Sequence, residues 1–206
     1  MMRPPHTPSQ TVGPFFHDAL LRRDAPNNVL APPNAAGEHL RIEGRVYDGD
    51  RCVVPDAMIE IWQANRHGSY APPAEPGGAR HDPVWTGFGR CATDPAGTYW
   101  FDTVKPGAVA FDEARRQAPH ISVAIFARGL LNHLFTRLYF ADEGANADDP
   151  VLERVPPERR GSLLAQRTLR LGRTVYVFDI VLQGDCETVF LDFGPGHLSP
   201  HPHGHA

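Results

Sequence analysis

Alternation of apolar and polar residues begins abruptly at His39. Leu40, Ile42, Gly44 and Val46 alternate with His39, Arg41, Glu43 and Arg45. That two-residue period is the mark of a strand with one wet face. Asp48-Gly49-Asp50 supplies a turn, and residues 57–62 (AMIEIW) predict a second strand. Gly68 follows, and the stretch 72–83 has the composition of a loop. Residues 91–101 read as a hairpin closed by Asp94-Pro95-Ala96-Gly97, and Lys105-Pro106-Gly107 stops its second strand. Strands are expected over 120–126 and 135–140. Residues 157–166, with Pro near the start but Gly161 inside, form the single candidate for a sizeable helix. Alternation returns over 174–182, with Val175, Val177 and Asp179 opposite Tyr176, Phe178 and Ile180, and residues 188–193 are expected to close the core. Many short strands separated by turns predict an all-β sandwich or barrel.

Composition sharpens that picture. Twenty-one prolines and 19 glycines in 206 residues favour turns and short elements over long helices. The first forty or so residues, rich in Pro, Asn and Ala, form an extended arm. Phe15 and Phe16, exposed in a free arm, would be an apolar liability, so the arm must lie on the domain or on another chain. No internal repeat or clean domain boundary is evident. A net charge of -4 without a basic stripe speaks against a nucleic-acid partner. No apolar run approaches the roughly 20 residues of a membrane-spanning helix, and the N-terminus lacks a signal-peptide pattern. Cys52, Cys91 and Cys186 are odd in number and widely spaced, which suits neither a disulfide framework nor a cysteine zinc site. A cytoplasmic protein is expected. The tail holds His197, His201, His203 and His205, and adventitious metal capture is favoured there over a physiological site.

Candidate chemistry is sparse. There is no phosphate-binding glycine loop, HExxH, GxSxG or CxxC motif. His120 opens an apolar strand after Pro119, and it would share one face with Ser122. Two ligands two apart on a strand grip a metal well, but a serine hydroxyl is a weak ligand. His120 hydrogen-bonded within the core is the competing reading. Tyr70, just past a strand, is either a packed aromatic or a tyrosinate ligand for ferric iron, a hard acid. Tyr70 and His120 together fall short of the three ligands a mononuclear iron usually needs. Arg128 is either a carboxylate binder at a pocket or interface or an ordinary surface arginine.

Several stretches in order resemble the intradiol ring-cleavage dioxygenases: TPSQTVGPFF, GEHLRIEGRVYDGD, IEIWQANRHGSY, GFGRCATDPAGTYWFDTVKPG, APHISVAIFARGLLNHLFTRLYFADE and YVFDIVLQGDCETVFLDF. They cover nearly the whole chain. The resemblance implies a β-sandwich core of mixed sheets with long loops, and a reaction in which O2 opens a dihydroxy aromatic acid on a non-haem Fe(III). That iron is held by two tyrosines and two histidines. Here Tyr70 matches the first tyrosine and His120 the first histidine. Ser122 and Val109 stand at the other two ligand positions, and Gln117 at that of the catalytic arginine. The resemblance therefore implies a vestigial metal site, no metal and no catalytic residue in this chain alone. Fe(III) is expected on a beta-type partner chain. Thr11, Gly13, Pro14 and Arg128 match residues that help wall the substrate cavity between chains. The implied organisation is an arm packing on the partner over 1–38, an intradiol dioxygenase-like domain over 39–194, and a disordered His-rich tail over 195–206. Two rival readings stand beside it. One is a self-sufficient intradiol dioxygenase on another catechol, which would need two further ligands, with His67 and His81 as the candidates. The other is a non-enzymatic β-sandwich binding module, for which a lack of any tight partner would speak.

Overall fold

The alternating stretch after His39 becomes β1 (His39–Tyr47), with Leu40, Ile42, Gly44 and Val46 all buried. The structure, a computed structural model, describes residues 8–13, 19–21, 27–70 and 85–192. The elements that follow are β2 (Met58–Trp62), β3 (Phe88–Ala92), β4 (Thr98–Val104), β5 (Val109–Ala110), β6 (Arg116–Gln117), β7 (His120–Phe126), β8 (Leu134–Phe140), β9 (Leu164–Arg170), β10 (Arg173–Val177) and β11 (Ile180–Val181). Nine of these form one mixed sheet in the order β11-β1-β10-β9-β8-β7-β2-β3, with β4 on the other edge of β1. The sheet folds over where β8 meets β9 in a short parallel pairing of Tyr139 with Leu164 and Phe140 with Ala165.

Two layers therefore face each other across the core. Leu40, Ile42, Tyr99, Phe101 and Tyr176 come from one, and Ile59, Ile61, Ile121, Val123, Ile125 and Leu138 from the other. Each such side chain, fully buried, contributes about 2 kcal/mol. The all-β sandwich expectation holds, as a nearly closed mixed sheet.

Three local expectations are corrected and a fourth holds. The turn at Asp94–Gly97 forms, with Gly97 N donating to Asp94 O at 2.8 Å. Its two strands then part, β3 to β2 and β4 to β1, so the segment crosses between layers and is no hairpin. Residues 157–163 make a 3-10 helix only, and Gln166 lies in β9. Extending the helix past Gly161 would forfeit the pairing of Leu164 and Ala165 with β8. The stretch 174–182 is interrupted: Asp179 turns its carboxylate to accept from Arg45 N at 2.9 Å, which takes the place of a ladder bond. Residues 188–192 do close the core, with Thr188 buried and Val189 and Phe190 packed against it, and they run beside β8 without joining the sheet. They are tied by Leu191 N to Phe135 O and by Thr136 Oγ1 to Val189 O, both at 2.7 Å. Phe193 lies outside the described residues.

The arm is partly placed. Asn28 O and Leu30 N bracket Asp102 of β4 at 2.8 Å each, and Leu30 and Ala31 are buried in the core of their own domain. Phe15 and Phe16 lie outside the described residues, as does the histidine tail.

The tightest point of the fold is Gly44. A Cβ there would overlap the carbonyl oxygen of Phe178, which already accepts the buried Tyr99 hydroxyl at 2.6 Å. Gly44→Ala must push β10 and β11 from β1, and overpacking of this kind costs about 3 kcal/mol. Gly161→Ala, with nothing within 4 Å of the new carbon, serves as the control. Urea unfolding of the two variants checks the contrast, and equal midpoints would contradict it.

Candidate functional site

β7 runs between β2 and β8, and its residues sort by parity. Ile121, Val123 and Ile125 enter the core, while His120 and Ser122 face the opposite side. Register sets the neighbours there. Ser122 lies across from Trp62 of β2 and Arg137 of β8, and His120 lies across from Tyr139.

The loop after β2 then returns Tyr70 to this face. Gln63 is fully buried, donates to Val104 O at 2.9 Å and accepts from Thr103 Oγ1 at 2.9 Å. Asn65 Oδ1 accepts from His67 N at 2.9 Å and Ser69 N at 3.2 Å. Gly68 adopts φ +80, and a Cβ there would overlap Ala108 O; only glycine fits that crossing. The Tyr70 ring consequently lies parallel to Trp62, centroids 6.1 Å apart, with its hydroxyl 3.4 Å from His120 Nε2.

His120 is 1% exposed. Its Nδ1 lies 2.7 Å from Ala118 O, and a carbonyl accepts only, so Nδ1 carries the proton and Nε2 keeps its lone pair for the Tyr70 hydroxyl. Burial first, then the Arg137 charge, push its pKa down to about 4. The ring is neutral at neutral pH. The backbone beneath it is pinned by Asp149, whose carboxylate is fully buried. It accepts from Ala118 N at 2.7 Å, Leu152 N at 2.8 Å, Val151 N at 2.9 Å and the Tyr139 hydroxyl at 3.1 Å. Burial raises the Tyr139 phenol far above its ordinary range, so it stays a donor.

Val109 and Gln117 stand directly opposite each other in the β5–β6 ribbon. Val109 is buried, and Gln117 Oε1 accepts from Arg137 Nη1 at 2.6 Å. Arg137 Nη1 also lies 3.4 Å from the Tyr139 hydroxyl. Its Nε is buried with no acceptor among the described residues. The structure thus gathers Tyr70, His120, Ser122, Val109 and Gln117 in one connected neighbourhood. Sequence reasoning passed over Arg137, Tyr139 and Asp149. The first two were recoverable by pairing the alternation of β8 with that of β7. Asp149 carried the weaker signal of an Asp before a proline.

Thr11, Gly13 and Arg128 lie apart from this face. Gly129 N donates to Thr11 Oγ1 at 2.8 Å, which puts Thr11 beside Arg128. The Arg128 side chain is 71% exposed and paired with Asp56. Gly13 is exposed with open space around it. Pro14 and His81 lie outside the described residues, and His67 is exposed in its turn.

A profile of the family described as dioxygenase matches residues 12–184. The chain is 45% identical to a protocatechuate 3,4-dioxygenase alpha chain of Pseudomonas putida over 200 residues, 92% of this chain and 97% of that one. It is 33% identical to a protocatechuate 3,4-dioxygenase beta chain of Burkholderia cepacia, over 85% of this chain and 75% of that one. A dioxygenase domain from Streptomyces superposes with a TM-score of 0.59 at 24% identity, covering 86% of this chain and 98% of that one. A 3-chlorocatechol 1,2-dioxygenase from Rhodococcus opacus gives 0.60 at 20% identity, over 74% of this chain and 63% of that one. At those identities the two structures speak for the fold alone. The chain belongs to the intradiol dioxygenase family.

That family is iron-dependent, and the residues here do not fit the ion. Among the described residues no three His, Cys, Asp or Glu side chains converge as a metal set. His120 Nε2 and the Tyr70 oxygen are one nitrogen and one phenol. The positions where the resemblance puts the other two ligands hold a buried valine, which offers no donor atom, and a serine, whose hydroxyl is a weak ligand.

A neutral buried histidine makes stability fall in acid. The unfolded imidazole takes its proton near pH 6.5 and the folded one near 4. Stability is therefore whole above about 6.5 and lost as pH drops towards 4, by roughly 3 kcal/mol in all. His120→Gln removes this slope. Urea unfolding at about pH 7, 5.5 and 4.5 checks it, and equal acid losses in the variant and the parent would contradict the assignment.

Proposed function

We propose that this chain is the alpha subunit of a protocatechuate 3,4-dioxygenase, which with a beta chain cleaves 3,4-dihydroxybenzoate with O2 to 3-carboxy-cis,cis-muconate. One observation carries the proposal. The chain keeps the family's frame around Tyr70 and His120 with no metal set of His, Cys, Asp and Glu among the described residues, and it aligns along nearly its whole length with a named alpha chain. Both oxygen atoms of O2 enter the product, so the reaction needs no further reductant. The Fe(III) belongs to the beta chain, and no catalytic residue belongs to this chain alone. The reaction takes place in the cytoplasm, a reading supported by three cysteines that form no disulfide.

This chain's contribution is a wall of the substrate cavity at the interface. Thr11, Gly13, Pro14 and Arg128 supply it, with the arm over 1–38 against the beta chain and the sandwich domain over 39–194 behind it. The hydrogen bond from Gly129 to Thr11 supports this reading, because it ties the arm to the turn that bears Arg128. Arg128 is well exposed, and its guanidinium suits the carboxylate of an aromatic acid. A cavity closed by two chains also excludes water from the reacting ring.

Coexpression with a beta-type chain carrying the affinity tag is the test. Equimolar copurification is expected, and a chain that stays alone overturns the proposal. In the complex, Arg128→Ala should raise KM for 3,4-dihydroxybenzoate roughly tenfold with kcat little changed, the loss expected for a charged hydrogen bond. An unchanged KM would remove Arg128 from the cavity.

A further inference from the structure

Arg128 and Asp56 stand on backbone that cannot shift. The antiparallel register of β2 and β7 pairs Met58 with Phe126, and carried two residues further it sets Asp56 opposite Arg128. Ala57 and Ala127, between those pairs, are both buried. The turn at Pro55 and Asp56 is clamped on either side. Val54 N donates to Val46 O at 2.9 Å, Thr93 Oγ1 donates to Val54 O at 2.8 Å, and Ala57 N donates to Thr93 Oγ1 at 2.9 Å. Pro55 fixes one more dihedral. Across from it, Leu130 N donates to Ala127 O at 3.2 Å, and Gly129 N ties the turn to Thr11. What remains mobile is the Arg128 side chain itself, 71% exposed, and the Asp56 carboxylate meets it at Nε. Among the described residues Asp56 is the one polar partner of that guanidinium.

We propose that Asp56 is a positioning residue for the substrate carboxylate: it holds Arg128 by Nε and leaves the Nη1–Nη2 edge of the guanidinium for the aromatic acid. The inference rests on the reading that Arg128 walls the substrate cavity. A guanidinium is a planar fork whose two outer nitrogens can take a carboxylate side by side while Nε serves another acceptor. A long arginine free in solvent gives up rotamer freedom when it binds, and a carboxylate that already fixes it removes that cost from the binding step. The Asp56 charge opposes a second carboxylate, but the guanidinium lies between the two and offsets it. An ion pair this exposed adds little to the stability of the fold, so its effect falls on where Arg128 points. Asp56 touches no substrate and acts only through Arg128.

The test is a double-mutant cycle in the complex with a beta-type chain: parent, Asp56→Ala, Arg128→Ala and both together, each read for KM and kcat on 3,4-dihydroxybenzoate. Asp56→Ser takes the place of the alanine variant should that one fail to fold or to copurify with the beta chain. Asp56→Ala should raise KM about fivefold with kcat little changed, the loss expected when one long side chain must be ordered on binding. In the Arg128→Ala background the same substitution should change nothing, because a residue that acts through Arg128 has nothing left to position. A KM that stays level or falls in Asp56→Ala, while Arg128→Ala raises it, overturns the positioning role and leaves Arg128 in the cavity. A further fivefold rise on top of Arg128→Ala also overturns it, since Asp56 would then act through the fold or the interface. An unchanged KM in Arg128→Ala overturns the cavity reading itself and this inference with it.

Discussion

The site rests on β7 being enclosed on both faces. One side of the strand is core, with Ile121, Val123 and Ile125 buried, and the other carries His120 and Ser122 under Trp62, Tyr70, Arg137 and Tyr139. Antiparallel pairing to β2 and β8 leaves no freedom in this arrangement, because a one-residue slip would exchange the isoleucines for the histidine. Asp149 then fastens the entry to the strand through Ala118 N. The packing of a frame this constrained does not depend on a bound ion.

What fills the frame now is an interior hydrogen-bond network. Asp149 accepts from the Tyr139 hydroxyl, which lies 3.4 Å from Arg137 Nη1, and Tyr70 and His120 meet each other. Within that network the Arg137 Nε stands without an acceptor among the described residues. Buried polar groups of this sort stabilise when paired and destabilise sharply when one partner is removed. The same network accounts for a histidine that stays neutral well below its usual range. Function, on the reading proposed above, has moved outward to the turn that carries Arg128 and to the arm that meets it at Thr11.

Much of this was legible in the sequence, and the failures have physical causes. Period-two alternation located β1, which buries alternate residues, and β10, while β2, β7 and β8 stood out as short strand candidates between turn and loop signals. The shared face of His120 and Ser122 followed from parity alone. The turn at Asp94–Gly97 misled, since turn chemistry says that the chain reverses and not which strands then pair. The 3-10 run at Pro157–Leu163 resembled a helix locally and lost to sheet pairing at Leu164. Arg137 was invisible for a similar reason. A single arginine in a strand is unremarkable until register sets it beside Ser122 and Gln117.

The central claim is that this chain shapes a catalytic site whose iron lies on another chain. Its most direct test is iron content together with oxygen uptake on 3,4-dihydroxybenzoate, measured on this chain purified alone with its histidine tail removed and on its complex with a beta-type chain. The account predicts iron and turnover in the complex only, with about one iron per pair of chains. Stoichiometric iron and turnover in the isolated chain would contradict it, and would mean that Tyr70 and His120 find ligands among residues outside those described.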